Sequence, residues 1–294
     1  MNHLGGKIKL GIKKTIDTID TIDTIEDKFN KLNITPSIFN EDCIIGMKKL
    51  ADNSTDIIIC DPPYNIGKDF GNDSDKQDND TYLTWCDQWI HECIRILKPK
   101  GTIFIYGFSE MLAFIRVRIN INVRWIIWHY TNKTVPSLNF WQRTHESILC
   151  CYKEKPTFNR DDVREPYTEA YLKHSVGKIR TSTVGRFSDG TKETIYTAHE
   201  NGALPRDVIK ISTLAGGAGK NEKVDHPTQK PLELCEKLLK SCLNKDGPTL
   251  LVVPFVGSGS ECVAAQKLHI DFIGYEINEK YIKLCQDRLN QTNH

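Results

Sequence analysis

Four residues, Asp61-Pro62-Pro63-Tyr64, follow directly on the apolar run TDIIIC at residues 55–60. Each proline fixes its own φ and pushes the residue before it into an extended conformation. Neither carries an N–H, so the turn presents carbonyl acceptors with no competing donor at Pro62 or Pro63. Asp61 adds a carboxylate acceptor, and Tyr64 adds a flat aromatic face. Rigid acceptors beside a stacking surface suit an amino group on a flat ring, such as the exocyclic amine of a nucleobase. On residue chemistry alone, a plain turn after a strand with Asp61 as a helix cap accounts for the same residues equally well.

A second stretch, LLVVPFVGSGSECVAAQ at residues 250–266, reads as a strand, a glycine turn and the start of a helix. Such a turn lets backbone approach a nucleotide closely. It lacks the Gly-Lys-Ser/Thr of a phosphate-binding P-loop, and the chain after it is too short for a dinucleotide-binding βαβαβ unit. A third stretch, His226-Pro227-Thr228-Gln229-Lys230-Pro231, precedes a helix with Pro231 in its first turn. Metal chemistry has no support: the nine histidines are scattered and no C-x-x-C pair occurs. The ten cysteines sit among apolar residues, which predicts reduced, buried thiols acting as small hydrophobes.

Alternating strands and helices hold these loops. EDCIIGMKKLA suggests a turn and short helix, and TDIIIC a buried strand. Residues 65–80 are rich in Gly, Asp and Asn and read as a loop. A helix from about Thr81 to Leu97, capped by Asp80, places Tyr82, Trp85, Trp89, Cys93 and Ile96 on one stripe; Pro99 and Gly101 stop it. TIFIYG is a strand, SEMLAFIRVRI a helix, VRWIIWHY and ESILCCYK strands. Residues 154–224 have few long apolar runs and read as a loop-rich insertion. DFIGYEI is a further strand, and a last helix from about Asn278 turns Tyr281, Ile282, Cys285 and Leu289 inward. The pattern predicts an α/β fold with a doubly wound, mostly parallel sheet. Ligands of such sheets lie beyond the carboxyl ends of the strands, so DPPY and the glycine turn are expected on one edge.

The 294 residues carry a formal net charge of +1. From Arg95 to Arg143 there are eight Lys or Arg against one acid, Glu110; a basic face for a polyanion and an ordinary solvated surface both fit this run. No apolar run is long enough to span a membrane, and MNHLGGKIKL lacks a secretory leader's apolar segment, so a cytoplasm-like compartment is expected. The repeat TIDTIDTIDTIE has period 3, which fits neither helix nor strand; residues 1–33 are expected to form a weakly ordered extension.

Taken together and in this order, DPPYN, HPTQKP and PFVGSGS resemble the β-class SAM-dependent DNA amino-methyltransferases, which methylate adenine N6 or cytosine N4. The similarity covers about residues 37–290. It implies a SAM-methyltransferase sheet in circularly permuted order. The catalytic half would be residues 34–153, the target-recognition region 154–224 and the SAM-binding half 225–294. The resemblance implies that Asp61 and the Pro62 carbonyl, on the Pro62-Pro63 turn, accept hydrogen bonds from the target amine, and that Tyr64 stacks on the flipped base, with Asn65 supporting the loop. Phe255, Gly257, Ser258 and Gly259 match the cofactor loop, and Glu276 the acid that meets the ribose hydroxyls. Asp42 matches an acid near the adenine. Thr228 and Lys230 would line the methionine end, Lys230 pairing with its carboxylate. Arg160, Arg164, Lys173, Lys178, Arg180 and Arg186 fall in the expected recognition region as candidate phosphate or base contacts. The implied partner is double-stranded DNA; a cognate restriction endonuclease and a homodimer are compatible, a membrane is not.

Within the family this chain resembles, DPPY goes mostly with adenine N6 and a serine in its first position mostly with cytosine N4, so the resemblance implies adenine as the target, with cytosine N4 the alternative. A DNA-binding protein on this fold that no longer methylates is a reading of a different class. It draws on one departure: the family usually has Asp-Pro-Phe where this chain has Val253-Pro254-Phe255. The missing acid implies weakened SAM binding, which Val253→Asp would then tighten.

Overall fold

Runs of Ile, Leu and Val make the central strands, and the longer helices between them present one apolar stripe. The computed structural model describes residues 36–67, 76–132 and 136–292; the TID repeat and half of the loop read at residues 65–80 lie outside them. In chain order come β1 (Ser37–Asn40), α1 (Cys43–Met47), β2 (Thr55–Cys60), α2 (Asn79–Ile96), β3 (Leu97–Gly107), α3 (Ser109–Arg116), β4 (Asn122–His129) and β5 (His145–Tyr152). Next are α4 (Glu169–His174) and the short strands β6 (Ile179–Thr181), β7 (Val184–Gly185), β8 (Ser188–Asp189) and β9 (Glu193–Ile195). The chain continues through β10 (Val208–Lys210), α5 (Leu232–Cys242), β11 (Leu250–Val253), α6 (Ser260–Lys267), β12 (Asp271–Glu276) and α7 (Glu279–Thr292).

Eight strands form one sheet in the order β1-β12-β11-β2-β3-β5-β4-β10. All neighbours run parallel except β5, which is antiparallel to both β3 and β4. β2 shows why the strands read as unbroken apolar runs. Ile57 and Ile59 join the core beneath Leu234 and Leu238 of α5, while the Cys60 sulfur points the other way, 3.9 Å from Cys93 of α2. Both faces of the sheet are therefore covered, and nine of the ten cysteines are buried.

β11 lies directly beside β2, with Leu251 opposite Ile57 and Val252 opposite Ile58. Parallel neighbours end on one edge, so the loops after Cys60 and after Val253 open side by side although almost 200 residues separate them.

Several boundaries differ from the sequence reading. Asp78, not Asp80, caps α2: its carboxylate accepts the Thr81 N–H at 2.9 Å, and Asp80 lies inside the first turn, where an acid suits the helix dipole. β3 starts at Leu97 with no gap after α2, because its pairing with β2 shifts between Thr55 and Ile57. Pro99 and Gly101 sit in that irregular stretch, where a missing ladder N–H is tolerated. β1 gave no sequence signal, and neither did β10, which lies inside the span read as an insertion yet pairs with β4. Strands of three or four residues are too short for periodicity to register. All described residues belong to one compact unit.

The basic run from Arg95 to Arg143 does not form a basic face by itself. Arg95 pairs with Glu92 and Asp52, Lys98 with Asp56, Arg118 with Asp87, Arg124 with Asp207 and Arg143 with Glu110. Most of those acids lie outside the run, where a count along the chain misses them.

Candidate active site

The DPPY turn leaves β2 at the sheet edge. Lys230, only 3% exposed, comes up beneath it just before α5 and places its ammonium 2.8 and 2.7 Å from the two oxygens of Asp61. The Tyr64 hydroxyl donates to Asp61 Oδ1 at 2.8 Å and lies 3.2 Å from Glu146 Oε2, at the start of β5. Lys230 also stands 3.9 Å from Glu146 and over the rings of Tyr106 and Tyr64, at 5.1 and 5.4 Å from their centroids. Two carboxylates, one ammonium and one phenol thus form a single buried network.

Its electrostatics follow from burial and charge. Burial disfavours the Lys230 ammonium, but Asp61 and Glu146 outweigh that and hold its pKa above the ordinary lysine value. Burial raises the Glu146 carboxyl, Lys230 opposes this, and Asp61 adds to it. A third acid, Glu261 in the first turn of α6, is 3% exposed. Burial and the Asp61 charge push its pKa up to about 7, against its own backbone amide and Lys230. The Cys235 thiol donates to it at 3.5 Å.

Beside this network opens a cleft with about 830 Å³ of empty space, its mouth included. Asp42, Pro63, Trp85, His226, Phe255, Gly257, Tyr275, Glu276 and Tyr281 are among its walls. Asp42 caps α1, both of its bonds, from the Ile44 and Ile45 N–H groups, falling on Oδ1. Phe255 is wedged against Trp85 and Trp89 of α2, with centroids 5.6 and 5.5 Å apart. Glu276 ends β12 and accepts the Gly257 N–H at 2.8 Å and the Asn278 N–H at 2.9 Å; burial still raises its pKa.

The glycine turn is shaped by what lies behind it. Gly257 has φ 49°, and a Cβ there would come 2.9 Å from His226 Nε2. Gly259 has φ 77°, and a Cβ there would run into the Cys285 sulfur. Cys285 and Arg288 project from α7, and Arg288 donates to the Ser258 carbonyl at 2.6 Å and the Ser260 hydroxyl at 3.2 Å. His226 lies edge-on to Tyr281, its pKa lowered to about 4, chiefly by burial.

Asp42, Phe255, Gly257 and Glu276 therefore come together in one cleft, with Pro63 on its catalytic side. Four expectations need correction. Lys230 does not face the cleft: a buried ammonium must be paired, and Asp61 is its partner. Thr228 is not on the wall either; its carbonyl accepts from Lys230 at 3.3 Å. Ser258 is buried, 3.2 Å from the Ser260 hydroxyl, and holds the turn. The Tyr64 ring is 7% exposed and lies edge-on to Phe108 at 5.2 Å, so it offers no open face for stacking here. The Pro63 carbonyl is already bonded to the Tyr82 hydroxyl at 2.6 Å. Asn65 does support the loop, exchanging two bonds with the Gln77 backbone. Arg164 is not free for DNA: it donates to Asp161 and to the Gly202 carbonyl.

A family model described as a DNA methylase of the N6/N4 methyltransferase type matches residues 55–287. The chain belongs to the N6-adenine/N4-cytosine DNA methyltransferase family. The Type II methyltransferase M.HpaI of Haemophilus parainfluenzae is 34% identical over 254 residues, 84% of this chain and 72% of that one. The DNA adenine methyltransferase YhdJ of Escherichia coli (strain K12) is 28% identical over 273 residues, 89% of this chain and 85% of that one. The solved structure of an M1.HpyAVI–SAM complex shares the fold, with TM-score 0.53 and 22% identity, covering 86% of this chain and 99% of that one.

SAM is the cofactor of this methyltransferase family, and the cleft suits it. Two left-handed glycines keep the turn free of side chains, and acids at Asp42 and Glu276 offer acceptors for hydroxyl and amino groups. Among the described residues no helix is long and apolar enough to cross a membrane. The sequence reading missed Glu146, Glu261 and Arg288 in this methyltransferase. Glu146 had one visible sign, a lone acid at the head of an apolar strand. An acid in a first helical turn and a basic residue in a last helix are ordinary surface features, and nothing local marks Glu261 or Arg288 as buried.

Proposed function

We propose that this methyltransferase transfers a methyl group from SAM to the N6 amine of adenine at a specific site in double-stranded DNA, after turning the base out of the helix. One observation carries the reading: the Asp61 carboxylate, ion-paired with Lys230, lies two residues before Pro63, which walls one cleft together with Asp42, Phe255, Gly257 and Glu276. An acceptor for an amine and a cradle for a nucleoside-bearing cofactor are adjacent.

A carboxylate offers about four acceptor positions. Lys230 takes two at Asp61 and Tyr64 takes one, which leaves one for an amine hydrogen. The Pro62 carbonyl is the acceptor for the other hydrogen. The lone pair of a ring amine is delocalised and a poor nucleophile. Holding both hydrogens favours a tetrahedral nitrogen whose lone pair points out of the ring plane, which is catalysis by positioning and by charge. Bound SAM supplies the methyl group on a sulfonium. Asp42 Oδ2 and the Glu276 carboxylate are the acceptors for the cofactor's polar groups, and Phe255 its apolar wall. Lys230 and Tyr64 act on Asp61, fixing its orientation and charge. No covalent intermediate is required, and the buried thiols have no part. A base stacked in a duplex is out of reach of Asp61, so it must be flipped, at a cost of about a few kcal/mol.

Adenine is favoured by the Asp at the head of DPPY and by the name of YhdJ; cytosine N4 lies within the same family. Residues 154–207 are assigned to target recognition, since they add no strand to the main sheet. The permuted order of the methyltransferase fold accounts for a glycine turn so late in the chain lying beside β2. The test is expression in a host lacking DNA methylation, followed by modification-sensitive sequencing. N6-methyladenine at one short motif is the expected result. N4-methylcytosine would replace the assigned base, and unmodified DNA beside soluble protein would refute the activity.

A further inference from the structure

The loop from residue 131 to residue 144 leaves β4 and returns into β5. β4 runs parallel with β2, because both β3 and β4 are antiparallel to β5 and β3 is parallel to β2. The loop therefore opens on the same edge as DPPY. Its base is firmly held. Tyr130 N–H donates to the Thr144 carbonyl at 2.8 Å, the Asn132 side chain exchanges bonds with Thr213, and Arg143 pairs with Glu110. The Arg143 guanidinium also lies 4.2 Å over the Phe108 ring, and Phe108 in turn packs on Tyr64. A direct line of contacts thus joins the loop to the catalytic turn.

Its tip is the opposite of its base. Leu138, Phe140 and Trp141 are 86, 83 and 88% exposed, three large apolar side chains within four residues. Water is a poor neighbour for them, and an exposed apolar cluster marks a surface that meets something. The loop carries no acid, so nothing in it repels a polyanion, and it shares the sheet edge with the turn that must meet the target base. A base leaving a duplex opens a gap between flat apolar neighbours, and apolar side chains fill such gaps in proteins that distort DNA.

We infer that Phe140 and Trp141, with Leu138 beside them, form the wedge that enters the DNA stack and occupies the space left by the flipped base. The inference rests on the base-flipping reading above. It commits the tip to duplex DNA, at the step that precedes chemistry.

The test uses the full chain and a duplex carrying 2-aminopurine at the target base of the motif returned by methylome sequencing. The probe brightens when it unstacks, with no methyl transfer needed. With the wild-type chain a clear rise is expected. Phe140→Ala/Trp141→Ala should lose most of that rise, while phosphate contacts keep DNA affinity within about threefold. SAM binding of the double variant, measured by calorimetry, should match wild type and serves as the check on folding. A wild-type chain that gives no rise overturns the flipping reading and the wedge with it. A wild-type rise that the double variant keeps in full overturns the wedge alone. So does a wild-type dimer, seen by sedimentation, that the double variant converts to monomer with the rise intact, since the tip would then be an interface between two copies.

Discussion

Replacing Glu261 with glutamine should remove a pH dependence built into the floor of the active site. Glu261 is buried at the start of α6, and its pKa stands at about 7 in the fold against the ordinary 4.5 of a solvated glutamate. The folded chain therefore holds a proton that the unfolded chain gives up between those two values. Stability from this group is fully present below about pH 4.5 and is lost as pH rises towards 7. At roughly 1.4 kcal/mol per pKa unit, the loss across that window is about 3 kcal/mol. That is a large share of the roughly 5–15 kcal/mol that holds a typical domain together. Glutamine keeps the volume and cannot ionise. Urea unfolding at pH 4, 5, 6, 7 and 8 should show the variant gaining on wild type by about 3 kcal/mol from the acid end to the alkaline end. The comparison must be between the two proteins. His226, lowered to about 4 by burial, works in the opposite direction and costs stability as pH falls below about 6.5, which flattens the wild-type curve and tilts the variant's. Wild type and variant that keep a constant difference across the range would refute the reasoning, because Glu261 would then be ionised, or protonated, throughout.

Asp61→Ala should abolish methylation in the host sequencing assay and leave DNA affinity nearly unchanged by fluorescence anisotropy, since it removes one amine acceptor and no phosphate contact. Lys230→Met leaves the Asp61 carboxylate buried without its cation; a loss of about 3–5 kcal/mol in urea unfolding is expected, and a change below about 1 kcal/mol would mean that water replaces the ammonium. Gly259→Ala drives a methyl into the Cys285 sulfur at a left-handed φ, so weaker SAM binding by calorimetry and a lower unfolding midpoint should appear together. Val253 is 1% exposed, opposite Gly274 in the sheet and inside the apolar core. Val253→Asp should therefore lower the unfolding midpoint by burying a charge, and tighter SAM binding by calorimetry, the gain expected from sequence, should not accompany it.

The alternating apolar runs were enough to specify an α/β protein with a mostly parallel sheet, because a strand covered on both faces must be apolar throughout. DPPY and the glycine turn were legible for a related reason. Two prolines fix the backbone locally and two glycines permit a left-handed turn that other residues avoid, and such local preferences are written in local sequence. Asp42, Phe255, Gly257 and Glu276 could be named from motifs alone. What they touch could not. Lys230 looked like a cofactor ligand until the fold set it against Asp61, 169 residues away. Val253 looked like a missing acid, while the buried acids of the site proved to be Glu146, on a distant strand, and Glu261, in the helix after the glycine turn, where local sequence gave no sign of its burial. The basic run from Arg95 looked like a patch until acids from elsewhere neutralised most of it. β1 and β10 are strands only because a neighbour pairs with them. Sequence reports the conformation a residue imposes on its own backbone. Burial, charge pairing and strand-edge pairing depend on which distant segment arrives beside it, and that is decided only when the sheet closes.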